Sequence, residues 1–349
     1  MSAAAIGSIA IVWDHVATAD AGATETGAAE AAAVASIGGV IDEVASVAAG
    51  MGVRVERVPL AGDAASLFAS IAAIDADVVV NLAESWAGRA RNEAGVAWML
   101  ELAGRAYTGA SPRALTLCLE KPLTRAVLAS AGVPVPQGVV LERADARVAI
   151  AELGDGKWIV KPAAQDASHG IDASSVVQSE RALRERVAVL IERGLGPALV
   201  ERFVEGRELN VSIVELDGAP PRALPIAEID FGEFPSEYPK ILTFAAKWDE
   251  ASAEYRGSKS VLARALAPAL RDEVERVALA AWRALGLRDY GRVDLRLDTE
   301  GRPFVIDVNP NPDLSRGAGL CLAAERAGIA YQQLVEGIVR GAARRACAS

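Results

Sequence analysis

The chain has 349 residues, 52% of them hydrophobic and 23% charged, enough to bury a sizeable core and to fill roughly two or three domains. Lys and Arg number 36 against 46 Asp and Glu, a net charge of -10, which argues against a protein whose main task is gripping nucleic acid or an anionic membrane. Cys118, Cys321 and Cys347 are far apart and odd in number, which excludes a disulfide framework and a clustered thiolate zinc site and points to a reducing, cytoplasmic compartment. No run of about 18 apolar residues exists to span a bilayer. Met1 to Trp13 carries no basic residue before its apolar stretch and runs into Asp14 and His15, so it reads as a first strand rather than a secretory signal.

In chain order, Ile6 to Trp13, Val53 to Val58 and Asp77 to Leu82 are β-branched runs separated by alanine-rich helical stretches. That βαβ order implies a parallel sheet. No Walker-type loop or G-x-G-x-x-G turn follows these strands, so a nucleotide would bind elsewhere. Thr18 to Ala33 is low in complexity and reads as a solvated loop and helix start. Ser111-Pro112 is an N-cap with proline at the first helical position, opening a helix to Ala131. Gly132-Val133-Pro134-Val135-Pro136 ends it. Trp158 to Lys161, Ser174 to Val177, Ala198 to Val204 and Glu208 to Glu215 then read as strands of a separate mixed sheet, with a helix over Ser179 to Arg193. Phe231 to Ser260 shows no clear period and is expected as a long ordered loop, or lid. A helix over Ala265 to Leu285 follows, then a hairpin of Tyr290 to Leu297 and Pro303 to Val308 around Asp298-Thr299-Glu300-Gly301, a glycine-rich loop and a terminal helix.

The hairpin carries the clearest chemistry. If Thr299-Glu300 forms a two-residue loop, Asp294 lies opposite Val305 and the period of two brings Asp307 and Asn309 to its face. Two carboxylates and an amide are hard donors suited to Mg²⁺, which keeps substrate phosphates and waters among its ligands. The competing reading is a strand face open to water. Arg292 and Arg296 share the parity of Asp294 and serve either a developing anion or an Arg-Asp ladder across strands. The chain has only six lysines among its 36 cationic residues, so each position is informative. Lys161 ends the apolar strand Trp158-Ile159-Val160 and precedes the small polar loop Gln165-Asp166-Ala167-Ser168-His169-Gly170, an arrangement suited to phosphate. A buried stem with a solvated head is the alternative. With only His15 besides His169, a histidine triad or zinc site is disfavoured. Glu208, after the turn Val204-Glu205-Gly206-Arg207, could accept from ribose hydroxyls or simply mark a charged hairpin edge.

Together these segments resemble the ATP-grasp superfamily, in its D-alanine:D-alanine ligase-like branch, over nearly the whole chain from Asp77 onward. The matching stretches are Val80-Asn81-Leu82-Ala83-Glu84-Ser85, Tyr107-Thr108-Gly109, Glu120-Lys121-Pro122, Ile159-Val160-Lys161-Pro162, Leu199-Val200-Glu201-Arg202-Phe203-Val204, Ala246-Lys247-Trp248, Gly291-Arg292-Val293-Asp294 and Val305-Ile306-Asp307-Val308-Asn309-Pro310. The resemblance implies an α/β (α+β) three-domain fold: 1–115 an N-terminal parallel-sheet domain, 116–205 the central subdomain, and 206–349 the C-terminal subdomain with the metal site.

It also implies roles. Lys121, Lys161 and Ser168 would meet ATP phosphates, Glu201 the adenine with Arg202 and Phe203 through their backbone, and Glu208 the ribose. Lys247 would reach the terminal phosphate, Arg292 the reaction centre, and Asp294, Asp307 and Asn309 two Mg²⁺, with Mn²⁺ as the alternative metal. The activity implied is ATP-dependent joining of a carboxylate to an amine through an acyl phosphate, on small molecules rather than nucleic acid or membrane. The alternatives are a phosphotransferase of the same fold and a non-catalytic nucleotide-binding protein. A homodimer is common in the family. The family's glycine-serine-glutamate signature is replaced by Trp13-Asp14-His15-Val16-Ala17-Thr18-Ala19-Asp20, and its later Pro-Gly turn by Pro312-Asp313-Leu314-Ser315. These departures imply substrates other than D-alanine. Asp166 and His169 replace small residues of the phosphate loop, and Arg125 stands where relatives often carry a further lysine.

Overall fold

The computed structural model describes residues 6–15, 25–145, 153–165, 168–263 and 266–347, with backbone alone over 25–36. Asp166, Ala167 and residues 16–24, which hold most of the altered signature, lie outside the described residues, as does the loop part of the Thr18 to Ala33 stretch.

The first sheet is parallel, in the order β2-β1-β3, built from β1 (Ser8–Asp14), β2 (Arg54–Leu60) and β3 (Val78–Asn81). Helix α1 (Glu25–Gly50) connects the first two strands, and α2 (Ala64–Ala72), capped by the Asp63 side chain on Ser66 N, leads back. The chain leaves β1 to one side and reaches β3 on the other, so the carboxyl ends of these two strands form a switch point, where open α/β sheets take ligands. There Ser85 Oγ donates to Asp14 Oδ2 at 2.7 Å. Helix α3 (Glu93–Leu102) follows.

The helix expected from Ser111 to Ala131 is two helices, α4 (Pro112–Leu119) and α5 (Lys121–Ser130), broken at Glu120 with φ -84° and ψ 80°. Pro122 causes the break, because it has no N–H for the carbonyl of Cys118 and its ring would clash there. The break lets Lys121 N donate to Ala163 O, which ties this corner to the end of a central strand.

The central sheet is antiparallel, in the order β4-β7-β5-β6: β4 (Gly138–Leu141), β5 (Trp158–Pro162), β6 (Val176–Val177) and β7 (Ala198–Arg202). Helix α6 (Glu180–Glu192) buries Leu183, Val187 and Leu190 against it. Of the strand expected at Ser174 to Val177, only Val176 and Val177 form one, and Ala173–Ser175 is a 3-10 turn, because Asp172 caps Ser174 N and Ser175 Oγ accepts from Asp172 N.

The third sheet runs β11-β10-β8-β12-β13, with β9 paired to β8. Its strands are β8 (Arg207–Val214), β9 (Arg222–Ala223), β10 (Ala227–Asp230), β11 (Lys259–Leu262), β12 (Tyr290–Leu297) and β13 (Pro303–Asn309). The long helix begins at Pro268 as α9 (Pro268–Leu285) and packs Val274, Val277, Ala281 and Trp282 on one face of this sheet. Leu128 and Val133 join the same core. The last helices, α10 (Gly319–Arg326) and α11 (Tyr331–Ala346), return to the first sheet, where Leu334 and Ile338 share a core with Ile9 and Ile11.

Phe231 to Ser260 is not one irregular loop: it holds α7 (Phe244–Trp248) and α8 (Ala253–Gly257), capped by the hydroxyls of Thr243 and Ser252, and it runs into the edge strand β11. The hairpin loop is five residues, 298–302, organised by the Asp298 carboxylate accepting from Glu300 N and Arg302 N. Leu295 therefore pairs with Val305, and a bulge at Ile306 resets the ladder so that Asp294 faces Asp307. Without the bulge, Asp307 would turn into the core beneath α9. Among the described residues no helix is long and apolar enough to cross a membrane.

Candidate active site

A cleft opens between the central and third sheets. Ten of the twelve residues to which the resemblance gives a site role line it: Lys121, Lys161, Ser168, Glu201, Arg202, Phe203, Glu208, Lys247, Asp294 and Asp307. The remaining two, Arg292 and Asn309, pair with each other two residues further along the hairpin ladder.

Lys161 leaves β5 with its ammonium 2.5 Å from Glu201 Oε2 and 3.1 Å from the carbonyl of Ile306, the bulge residue. Glu201, expected beside a base, is 1% exposed, and its other oxygen lies 2.8 Å from Arg125 Nε. One buried carboxylate thus holds two cations from different elements and fixes where Lys161 points. The N–H groups of Arg202 and Phe203, which lie where the resemblance expects a base, donate to Gln137 O and Lys157 O.

The far wall is the polar face of β8 and β12. Their register pairs Glu208 with Arg296, Asn210 with Asp294 and Ser212 with Arg292. Burial pushes the Glu208 carboxyl above its ordinary pKa although Arg296 Nη1 donates to it at 2.9 Å. Arg296 also donates to Val204 O, Lys240 O and Gly206 O, and its guanidinium lies 4.9 Å over the Phe203 ring. It therefore clamps the turn after β7 and the segment around Lys240 to the third sheet. Gly206 is required in that turn: its φ is +139°, and a Cβ would meet Leu297 O at 2.0 Å.

Asp294 accepts from Arg292 through both oxygens, at 2.7 and 2.9 Å, and from Asn210 Nδ2 at 2.7 Å. That neighbouring carboxylate holds the Arg292 guanidinium charged. Asp307 Oδ1 accepts from Lys121 Nζ at 2.7 Å. Burial pulls the Asp307 pKa up, but Lys121 and Lys161 outweigh it and hold the carboxyl down at about 2. Lys247 projects from α7 into this charged group, where burial and then Arg292 lower its pKa. Among the described residues no three His, Cys, Asp or Glu side chains form a closed metal cluster. The oxygen set of Asp294, Asp307 and Asn309 instead fits a hard cation that keeps waters and phosphate oxygens as ligands.

Asn311 is a partner the sequence reading missed. Its N–H donates to Asn309 Oδ1, its Oδ1 accepts from Tyr290, and its Nδ2 donates to Glu93 Oε1 and Ala83 O, which joins the switch point of the first sheet to the hairpin. Asn210 was missed as well. The only available signal for it was its period-two spacing from Glu208 on β8.

Residues 127–340 match the family model described as D-ala D-ala ligase C-terminus. The chain is 34% identical over 251 residues to a D-alanine–D-alanine ligase of Desulforudis audaxviator, covering 71% of this chain and 76% of that one. It is 31% identical over 284 residues to the corresponding ligase of Gluconobacter oxydans, covering 81% and 86%. An uncharacterised protein of Sinorhizobium fredii is 35% identical over 273 residues, covering 77% and 75%. Among solved structures, a D-alanine–D-alanine ligase from Bacillus anthracis complexed with ATP superposes with a TM-score of 0.72 at 20% identity, over 98% of this chain and 99% of that one. With hinge, lid and hairpin placed around one charged cleft, these matches establish that the chain belongs to the D-alanine–D-alanine ligase family and is an ATP-grasp ligase with that family's α/β fold.

Proposed function

We propose that the chain phosphorylates a carboxylate with ATP and joins the resulting acyl phosphate to an amine, on amino-acid-like substrates other than D-alanine. The observation that carries this reading is the convergence of Lys121, Lys161 and Lys247 with Asp294 and Asp307 in one cleft, with Arg292 ion-paired to Asp294 beside it. A carboxylate oxygen attacks the terminal phosphorus and ADP leaves. The amine then attacks the acyl carbon, and phosphate leaves as the amide forms. Lys121 and Lys161 neutralise the phosphates along the way, and Lys247 steadies the transferring group. Arg292, fixed by its two-point contact with Asp294, stabilises the tetrahedral oxyanion. Mg²⁺ held by Asp294, Asp307 and Asn309 would supply further neutralisation of the phosphate charge. The segment from Phe231 to Ser260 contributes Ile241, Leu242 and Lys247 to the cleft wall, from where it would shield an acyl phosphate from water.

The departure from D-alanine is supported at the switch point, where Asp14 is engaged by Ser85 and His15 follows it. The expected result is ADP, phosphate and an amide appearing together with pooled amino acids and small carboxylates as substrates, and little product with D-alanine alone. This is checked by mass spectrometry of the reaction mixture. A phosphorylated product without amide would favour the phosphotransferase. Efficient D-alanyl-D-alanine formation would remove the substrate proposal while leaving the ligase chemistry.

A further inference from the structure

One buried cation has no part in the chemistry described so far. Arg186 on α6 is 6% exposed and lies outside the cleft lining. Its Nη2 donates to Gly170 O at 2.6 Å and Ser175 Oγ at 3.0 Å, and its Nη1 to Asp172 Oδ2 at 2.9 Å and Ser174 Oγ at 3.0 Å. One planar fork therefore grips a carbonyl, a carboxylate and two hydroxyls within the stretch that follows Ser168. That stretch needs holding. Ser168 has φ of 62°, a left-handed conformation that a non-glycine residue keeps only where surrounding contacts over-determine it. Gly170, at φ 72°, leaves no room for a side chain, since a Cβ there would come within 2.8 Å of Pro162, the neighbour of Lys161.

The other side of the same stretch is joined to the lid. Ser168 Oγ donates to Leu242 O at 3.0 Å, Phe244 N donates to Ile171 O at 3.0 Å, and the rings of His169 and Phe244 lie 5.0 Å apart. Between these contacts, Thr243 caps α7, the helix that carries Lys247. A continuous set of bonds thus runs from Arg186 through residues 168–175 to the lid.

We propose that Arg186 is the positioning residue of the lid, holding residues 168–175 in the one conformation that docks Leu242 to Phe244 and so sets Lys247 over the nucleotide. The proposal rests on the ATP reading above. A lysine cannot reproduce it, since one ammonium cannot reach all four acceptors with the geometry of the guanidinium fork.

The test is ADP titration by calorimetry together with trypsin cleavage of the lid after Lys240, Arg256 or Lys259, which are exposed. The wild type is expected to bind ADP and to lose lid cleavage when it does. Arg186→Met is expected to bind ADP about tenfold more weakly and to be cut in the lid about tenfold faster, with Arg186→Lys in between. A purely structural role would lower the melting temperature without moving either readout. A folded Arg186→Met with wild-type ADP affinity and lid cleavage would overturn the proposal. If that variant does not fold, the same result in Arg186→Lys would do so. Failure of the wild type to bind ADP would overturn the nucleotide reading instead.

Discussion

Asp307→Asn is expected to lower turnover by about 10³-fold while the protein stays folded. The substitution keeps the shape of the side chain and an oxygen able to accept from Lys121, so the corner between α5 and β13 survives. What disappears is a negative charge opposite Asp294, where three lysines act on one carboxylate. Because the folded pKa is depressed to about 2, the stability contributed by ionised Asp307 is fully present above the ordinary value of 3.8 and is lost as pH falls through 2. Asp307 is therefore anionic at any working pH, and an acid limb of activity above pH 4 must come from another group. Substrate-stimulated ADP release, measured beside the melting temperature, checks the variant. Wild-type turnover in it would remove Asp307 from the metal and phosphate machinery.

Arg292→Lys is expected to lower kcat by about 10²- to 10³-fold with little change in KM for ATP. The charge is kept, so Asp294 is not left without a cation and the third sheet should remain intact. The fork is lost, however, and only the fork grips both Asp294 oxygens while presenting a donor to the reaction centre. A rise in KM for ATP with unchanged kcat would place Arg292 on the nucleotide instead of the oxyanion. Steady-state kinetics with ATP varied at saturating substrate distinguish the two.

Much of this site was legible because its groups sit on regular strands. The parity of β12 placed Arg292, Asp294 and Arg296 together, and the observed ladder keeps them on one face. The convergence with Asp307 and Asn309 follows from parity only if the turn has two residues. In the folded chain a five-residue loop and a bulge at Ile306 bring those side chains to the face of Asp294. A bulge has no residue signature of its own, so hydrophobic alternation could not reveal it. The break at Glu120 could have been read from Pro122, and α7 and α8 from their Thr243 and Ser252 caps. The short edge strands β9 and β11 could not, because pairing with β8 and β10 rather than internal pattern makes them strands. Arg186 and Asn311 lay hidden for a different reason: their importance comes from partners on other elements, which only the folded chain brings beside them.

The most direct test of carboxylate activation is hydroxylamine trapping, with protein, Mg²⁺-ATP and pooled small carboxylates including amino acids. An acyl phosphate in this cleft predicts hydroxamate formed together with ADP, dependent on both ATP and a carboxylate. ADP released with a phosphorylated substrate and no hydroxamate, across a pool that supports turnover, would contradict it.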